Sequence, residues 1–285
     1  MPVIEIDSLD DPRVWAYRDL KDRELAKAGR RFIAEGHHVA LRLLGSDYAC
    51  ESVLCSDKRL DMVQPHVPAG VDLFVAPAKV VDAIVGYQFH SGVLAVGLRP
   101  PVRSLDAWMA SVRGDSEGNP LPGPLPKGEG AGNALTLVVC PHTRNCDNLG
   151  SIIRIAAAMG ADGLLLGEAC TDPFWRRTIR VSMGTVFRLP LRVSEDLAAD
   201  LRELRARYGV TLVATTLDDN ATPLQLTTRP PRLGLLLGSE DQGLGPHWTN
   251  LCDQKVTLAM HHGTDSLNVA TAAAVFLYHY GAAHR

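Results

Sequence analysis

From Ala134 to the end of the chain, short apolar runs alternate with segments of helical period, and few architectures tolerate that alternation. Leu135–Cys140 and residues 163–167, 210–215, 233–237 and 255–258 read as strands, short segments rich in aliphatic residues. Residues 149–159, Leu197–Tyr208 and 267–280 read as the helices between and after them, with Gly160 and Gly209 as terminating glycines. Strand–helix alternation of this kind implies an α/β domain with a parallel sheet covered by helices. Ligands of such sheets sit outside the carboxyl ends of the strands. The loops that follow those strands are therefore the places to look for chemistry. No GxGxxG follows any strand, which argues against a nicotinamide-dependent enzyme.

Ahead of this domain, residues 114–133 read GDSEGNPLPGPLPKGEGAGN, a stretch too poor in large apolar side chains to offset its ordering entropy. The expected organisation is an N-terminal domain over 1–102, a flexible linker over 103–133 and a second domain over 134–285. A short amphipathic helix is expected at 104–112. In the first domain, residues 14–38 are rich in helix formers with Leu20, Leu25 and Ala28 on a helical period, and 38–44 continue as helix. Residues 52–55, 73–76 and Val93–Leu98 read as strands.

The chain has 285 residues, 46% of them apolar, and a formal charge of −3, so no global basic field announces a nucleic-acid partner. Local patches exist nonetheless. Arg13, Arg18, Lys21, Arg23, Lys27, Arg30 and Arg31 crowd one early segment, diluted by Asp19, Asp22 and Glu24, and fit a solvated helix face as well as a binding patch. Arg176, Arg177, Arg180, Arg188 and Arg192 occupy a stretch with no acidic residue, which fits phosphate binding better. The six cysteines form no CxxC pair and no zinc pattern, and free thiols fit a reducing compartment. With no signal-like N-terminus and no apolar run near 20 residues, the expected location is the cytoplasm, without a membrane partner. His261 and His262 lack a third ligand at a known spacing, so no metal is expected.

Three blocks stand where strands meet loops: Asn148-Leu149-Gly150-Ser151-Ile152-Ile153-Arg154, Gly238-Ser239-Glu240-Asp241-Gln242-Gly243, and Ser266-Leu267-Asn268. In the first, Gly150 permits close backbone approach at a helix start, and Arg154 follows one turn later. In the second, Gly238 and Gly243 bracket a tight loop carrying Glu240. In the third, Ser266 is a plausible helix N-cap, and the Asn268 amide can both donate and accept. Each block alone would pass for an ordinary capped helix or turn.

In this order and spacing, the three blocks resemble the SpoU/TrmH group of SPOUT RNA methyltransferases. The phrases RRFIAEGHHVALRLL and HSGVLAVGLRP resemble the N-terminal substrate-binding domain of those enzymes, which has a ribosomal-protein-like α/β fold. The resemblance implies a SPOUT catalytic domain whose parallel sheet is threaded into a trefoil knot. It implies methyl transfer from S-adenosyl-L-methionine to a ribose 2′-hydroxyl in rRNA or tRNA, with no DNA partner, and a homodimer to which the apolar final helix is suited. It further implies catalytic roles for Asn148, Arg154, Glu240, Ser266 and Asn268, with cofactor contacts at Ala214, Thr215, Gly238, Gly243, Leu258 and Leu267. Arg176, Arg177, Arg180, Ser182 and Arg188 would meet RNA backbone.

Arg154 is assigned by the resemblance as the base that takes the hydroxyl proton. A guanidinium holds its proton across the accessible pH range, so anchoring a phosphate or stabilising an alkoxide is an equal reading. Two departures from the usual pattern affect loop stiffness: Leu258-Ala259-Met260 stands where Ile-Pro-Met is common, and Cys146 where a proline is common. The alternatives to a ribose methyltransferase are a catalytically silent RNA-binding homologue and a SPOUT base methyltransferase.

Overall fold

A computed structural model describes residues 3–18, 22–27, 30–113, 134–218, 220–239, 243–262, 264 and 266–282. The chain divides into two compact units, Met1–Pro101 with Asp172–Arg188, and Val102–Thr171 with Leu189–Arg285. The expected linker segment 114–133 lies outside the described residues.

The elements of the first hundred residues are β1 (Val3–Glu5), a 3-10 turn at Pro12–Tyr17, α1 (Asp22–Lys27), β2 (Arg31–Glu35), α2 (His37–Leu44), β3 (Cys50–Ser56), α3 (Leu60–Val63), β4 (Asp72–Ala76), α4 (Ala78–Val85) and β5 (Val93–Leu98). Their sheet has the order β1-β4-β3-β5-β2, with β1, β4 and β3 parallel and β5 antiparallel to both β3 and β2. Ile33, Leu54, Phe74, Leu94 and Val96 form its core with Val14 and Tyr17. The helical reading of residues 14–38 is corrected here. Arg31–Glu35 is a strand, because pairing Phe32 with Gly97 and Ile33 with Val96 buries three consecutive apolar side chains. A helix would have buried only one face of the same run. The early basic patch is likewise not one helix face. Arg13 pairs with Asp11 at 2.5 Å, Arg31 with Glu51 at 2.7 Å, and Lys21 lies outside the described residues.

The remaining elements are α5 (Leu105–Arg113), β6 (Leu135–Cys140), α6 (Cys146–Ala158), β7 (Gly163–Leu166), α7 (Arg176–Val181), β8 (Leu191–Val193), α8 (Leu197–Tyr208), β9 (Thr211–Thr215), β10 (Thr222–Pro223), β11 (Arg232–Leu236), α9 (Pro246–Thr249), β12 (Gln254–Thr257) and α10 (Val269–Ala282). All but α7 belong to the second unit. Its seven strands are parallel throughout, in the order β10-β12-β9-β11-β6-β7-β8. That is the sheet expected from the alternation of strands and helices. On one face Leu137, Val139, Leu165 and Leu212 pack against Trp108, Leu201 and Leu204 from α5 and α8. Each such side chain contributes about 1.5–3 kcal/mol on burial. The short helix expected at 104–112 is present as Leu105–Arg113, and it is packed, with Trp108 fully buried, rather than part of a flexible linker.

The segment 172–188 returns to the first unit, carried there by its apolar residues rather than by its arginines. Phe174 and Phe187 stack on Phe32 with ring centroids 5.2 and 5.5 Å apart. Among the described residues, no helix is long and apolar enough to cross a membrane.

Candidate active site

The first block opens α6. Asn145 is the N-cap, its side chain accepting from the backbone N–H of Asp147 at 2.8 Å and of Asn148 at 3.3 Å. The helix thus begins at Cys146, three residues before the position expected from periodicity. Cys146 itself touches Thr171, Sγ to Oγ1 at 3.3 Å. Gly150 is buried, and Arg154 one turn on is exposed, with no hydrogen bond or ion pair among the described residues. Glu240, expected in the catalytic set, lies outside the described residues, as do Asp241 and Gln242.

The third block opens α10, and here the cap is corrected. Asn268, not Ser266, occupies the N-cap: its Oδ1 accepts from Ala270 N at 2.9 Å and Thr271 N at 3.4 Å. The helix starts at Val269, leaving Ser266 and Leu267 exposed in the preceding loop. Asn268 also donates its Nδ2 to Asn148 Oδ1 at 2.9 Å, which joins the first and third blocks directly.

Of the second block, which follows β11, Gly238, Ser239 and Gly243 are described. Ser239 and Gly243 exchange backbone hydrogen bonds of 3.1 and 3.0 Å. This turn leaves no room for a side chain at Gly238, where a Cβ would stand 2.6 Å from the carbonyl carbon of Gly243. Gly243 has φ +61°, a conformation that glycine adopts without strain.

A cavity of about 560 Å³ opens beside that loop, within the range typical of small-molecule sites. Thr215, Gly238, Gly243, Leu258 and Leu267 line it, and Ser266 does as well. Ala214 does not: it is fully buried in the core, and its neighbour Thr215 reaches the wall instead. Thr215 Oγ1 donates to Leu236 O at 2.9 Å, tying the end of β9 to β11. Met260 and Phe276 supply further apolar surface, and Asp218 a carboxylate. A backbone N–H from Asn220, with Lys255 3.7 Å away, holds the Asp218 carboxyl below its ordinary range, so it is ionised at neutral pH. Met260 closes the Leu258-Ala259-Met260 block, whereas Asp218 and Phe276 carried no local sequence signal, because the cavity is assembled from several strand ends and one helix.

The five residues expected to meet RNA fall in the first unit. Arg177, Arg180 and Arg188 are exposed. Arg176 Nε and Arg180 Nη1 both approach the buried Glu35 carboxylate, at 3.4 and 3.3 Å. Ser182 is corrected: it is fully buried, and its hydroxyl donates to Ile179 O at 2.8 Å, so it presents nothing to a ligand. Arg192, from the same basic stretch, is held in the second unit by Asp200 at 3.0 Å. Among the described residues, no group of His, Cys, Asp or Glu is arranged to hold a metal ion.

Comparison with known proteins identifies the family. The model of the SpoU rRNA methylase family matches residues 135–278. A Mycobacterium tuberculosis protein described as an uncharacterized tRNA/rRNA methyltransferase is 33% identical over 277 residues, covering 94% of this chain and 88% of its own. A 23S rRNA (guanosine-2′-O-)-methyltransferase of Acinetobacter baylyi is 28% identical, over 78% of this chain and 83% of its own. Among solved structures, an AdoMet-bound rRNA methyltransferase from Sinorhizobium meliloti superposes with TM-score 0.76 at 26% identity, over 97% of each chain. The chain belongs to the SpoU rRNA methylase family.

Proposed function

We propose that this protein transfers a methyl group from S-adenosyl-L-methionine to a ribose 2′-hydroxyl of ribosomal or transfer RNA. The observation that carries the reading is the Asn148–Asn268 bridge, 2.9 Å long, with Leu267 and Ser266 leading from it into the cavity wall. The cavity suits the cofactor. Its volume, apolar lining and the main-chain groups around Gly238 and Gly243 match an adenosine held by backbone contacts, and the Asp218 carboxylate suits an ammonium.

When bound, the cofactor supplies a methyl group on a sulfonium centre, for in-line displacement by the ribose oxygen. The chain's residues position and polarise. Asn148 and Asn268 hold each other's amides in fixed orientation, which pre-sets donors and acceptors for the ribose. The Arg154 guanidinium stabilises the negative charge that develops on the 2′-oxygen, while the hydroxyl proton passes to water. Glu240 and Ser266 complete the proposed catalytic set.

The first unit, with exposed Arg177, Arg180 and Arg188, takes the RNA backbone, and residues 134–285 carry the chemistry on a knotted sheet. The chain works in the cytoplasm as a homodimer. Val275, at 40% exposure, and Tyr278, at 62%, give α10 an uncovered apolar face for a second copy. Light scattering coupled to gel filtration reads that assembly directly.

The test of the reaction is incubation with labelled S-adenosylmethionine and unmodified total RNA, digestion to nucleosides and mass spectrometry. A 2′-O-methylnucleoside is expected, with the Arg154→Ala rate lower by about 10²–10³-fold. A methylated base would replace this reading with base methylation. Absence of methyl transfer to any RNA, with cofactor bound, would replace it with a silent RNA-binding role.

A further inference from the structure

The second unit has another open cavity, of about 540 Å³, lined by Pro141, His142, Arg144, Glu168, Ala169 and residues 245–248. It lies past the carboxyl ends of β6 and β7, the edge of the sheet where α/β domains bind ligands. One loop serves both cavities, since Gly243 and Leu244 line the cofactor cleft and Gly245 lines this one. The β6–α6 junction is also shared: Arg144 faces the cavity, and four residues later Asn148 forms the bridge to Asn268.

The walls are built rather than incidental. Gly167 N donates to Cys140 O at 2.9 Å, Thr171 N to Thr143 O at 2.8 Å, and Thr143 N to Cys170 Sγ at 3.3 Å. These bonds stitch the loop after β6 to the loop after β7. The approach is so close that a Cβ at Gly167 would stand 2.3 Å from Pro141 O. Glu168 is anchored as well, its Oε1 accepting from Leu197 N at 3.2 Å. On the remaining wall, Trp248 packs partly against the core, and the His247 ring meets it edge-on, with centroids 4.6 Å apart.

An indole, an imidazole, a guanidinium and a carboxylate around one space make a poor metal site. His142, Glu168 and His247 are not arranged as metal ligands. They make a good site for a planar heterocycle with polar edges. Unstacked RNA bases are recognised in this way, by stacking on aromatic rings and hydrogen bonds to their edges. We propose that this cavity receives an unpaired nucleobase of the RNA substrate beside the methylated nucleotide. Trp248 stacks on the base, His247, set perpendicular to the indole, meets its rim, and Arg144 and Glu168 read its edge. The inference rests on the RNA methyltransferase reading.

The test measures KM for RNA, kcat and S-adenosylmethionine affinity in the full chain and in Arg144→Ala, His247→Ala, Trp248→Leu and Trp248→Phe. Leucine keeps apolar volume without a stacking face, and phenylalanine keeps both. Base–aromatic stacking corresponds to about 5- to 150-fold in affinity. The KM for RNA is expected to rise by that factor in Trp248→Leu and at least several-fold in Arg144→Ala. Cofactor affinity should stay within about twofold, and Trp248→Phe should restore most of the loss. Unchanged KM in Arg144→Ala and His247→Ala, both at exposed positions, overturns the proposal whatever the fate of Trp248→Leu. Photocrosslinking of 4-thiouridine-substituted RNA gives a readout independent of methyl transfer. Adducts are expected on peptides containing residues 141–144 or 245–248, and adducts only elsewhere overturn the proposal. Should the wild type bind and crosslink RNA through these peptides yet transfer no methyl group, the catalytic reading falls and the nucleobase site stands.

Discussion

Asn268, at the start of α10, donates its side-chain amide to Asn148, at the start of α6, over 2.9 Å and 120 residues of sequence. The same side chain caps its own helix through Oδ1. One amide therefore sets where α10 begins and how Asn148 points. The two duties separate by mutation. Asn268→Asp keeps the capping oxygen and removes the donor, so the melting temperature should stay within about 2 °C of wild type while methyl transfer falls at least tenfold. Asn268→Ala removes both, with an added stability loss of about 1 kcal/mol, or roughly 2–4 °C. Calorimetry beside a methyl-transfer assay distinguishes the duties, and a fully active Asn268→Asp would show that the bridge has no part in catalysis.

Gly238 gives a sharper steric prediction. Its missing side chain is what allows the Ser239–Gly243 turn to close, because a Cβ would stand 2.6 Å from backbone atoms that cannot move aside. Gly238→Ala should displace that turn, cost about 1–3 kcal/mol in overpacking, and weaken S-adenosylmethionine binding by tenfold or more. Titration calorimetry reads the affinity. Wild-type affinity in this variant would move the cofactor away from this wall.

Much of the second unit was legible because its signals are local. An aliphatic run such as Leu135–Cys140 is a buried parallel strand in almost any context, and Gly209 after Leu197–Tyr208 ends a helix by its own conformation, at φ +61°. The first unit was read less well where tertiary pairing decides. Arg31–Glu35 lies at the sheet edge, and nothing within five residues announces its partner Val93–Leu98. Helix formers on either side pulled the reading toward helix.

The site was legible where a motif forces backbone geometry and illegible where distant residues converge. Gly238, Leu258, Met260 and Leu267 belong to recognisable blocks and line one cavity, whereas Asp218 and Phe276 join them only through the fold. Ser182 misled for another reason. Its arginine neighbours suggested exposure, yet Ile179, Ser182 and Val186 form the buried stripe of the segment, and the hydroxyl satisfies itself on Ile179 O.

Glu35 explains how arginines can belong to a packed segment. Only 9% exposed, it receives Arg176 and Arg180 on its two oxygens. Removing the charge takes a buried carboxylate from both guanidiniums at once, whereas removing Arg180, whose side chain is 56% exposed, leaves Glu35 still paired with Arg176. Glu35→Gln should therefore cost about 1–3 kcal/mol, and Arg180→Gln under about 1 kcal/mol. Urea denaturation gives both numbers, and equal losses would contradict the asymmetry.

Three thiols make the fold sensitive to alkali. Burial pushes Cys50, Cys55 and Cys252 from 9.0 up to about 12. Above pH 9 an unfolded chain would release these protons while the folded chain retains them, so the unfolded state binds fewer protons and stability falls as pH rises toward 12. Burial of Tyr17 raises its phenol in the same sense. Melting curves between pH 8 and 11 should show a decline that becomes shallower in the Cys50→Ala, Cys55→Ala, Cys252→Ala triple variant. Because the thiolate is the reactive form, these three cysteines should also resist alkylation at pH 8 until denaturant is added. Rapid labelling of the fully buried Cys55 in the native protein would mean that the core around it opens far more readily than its burial implies.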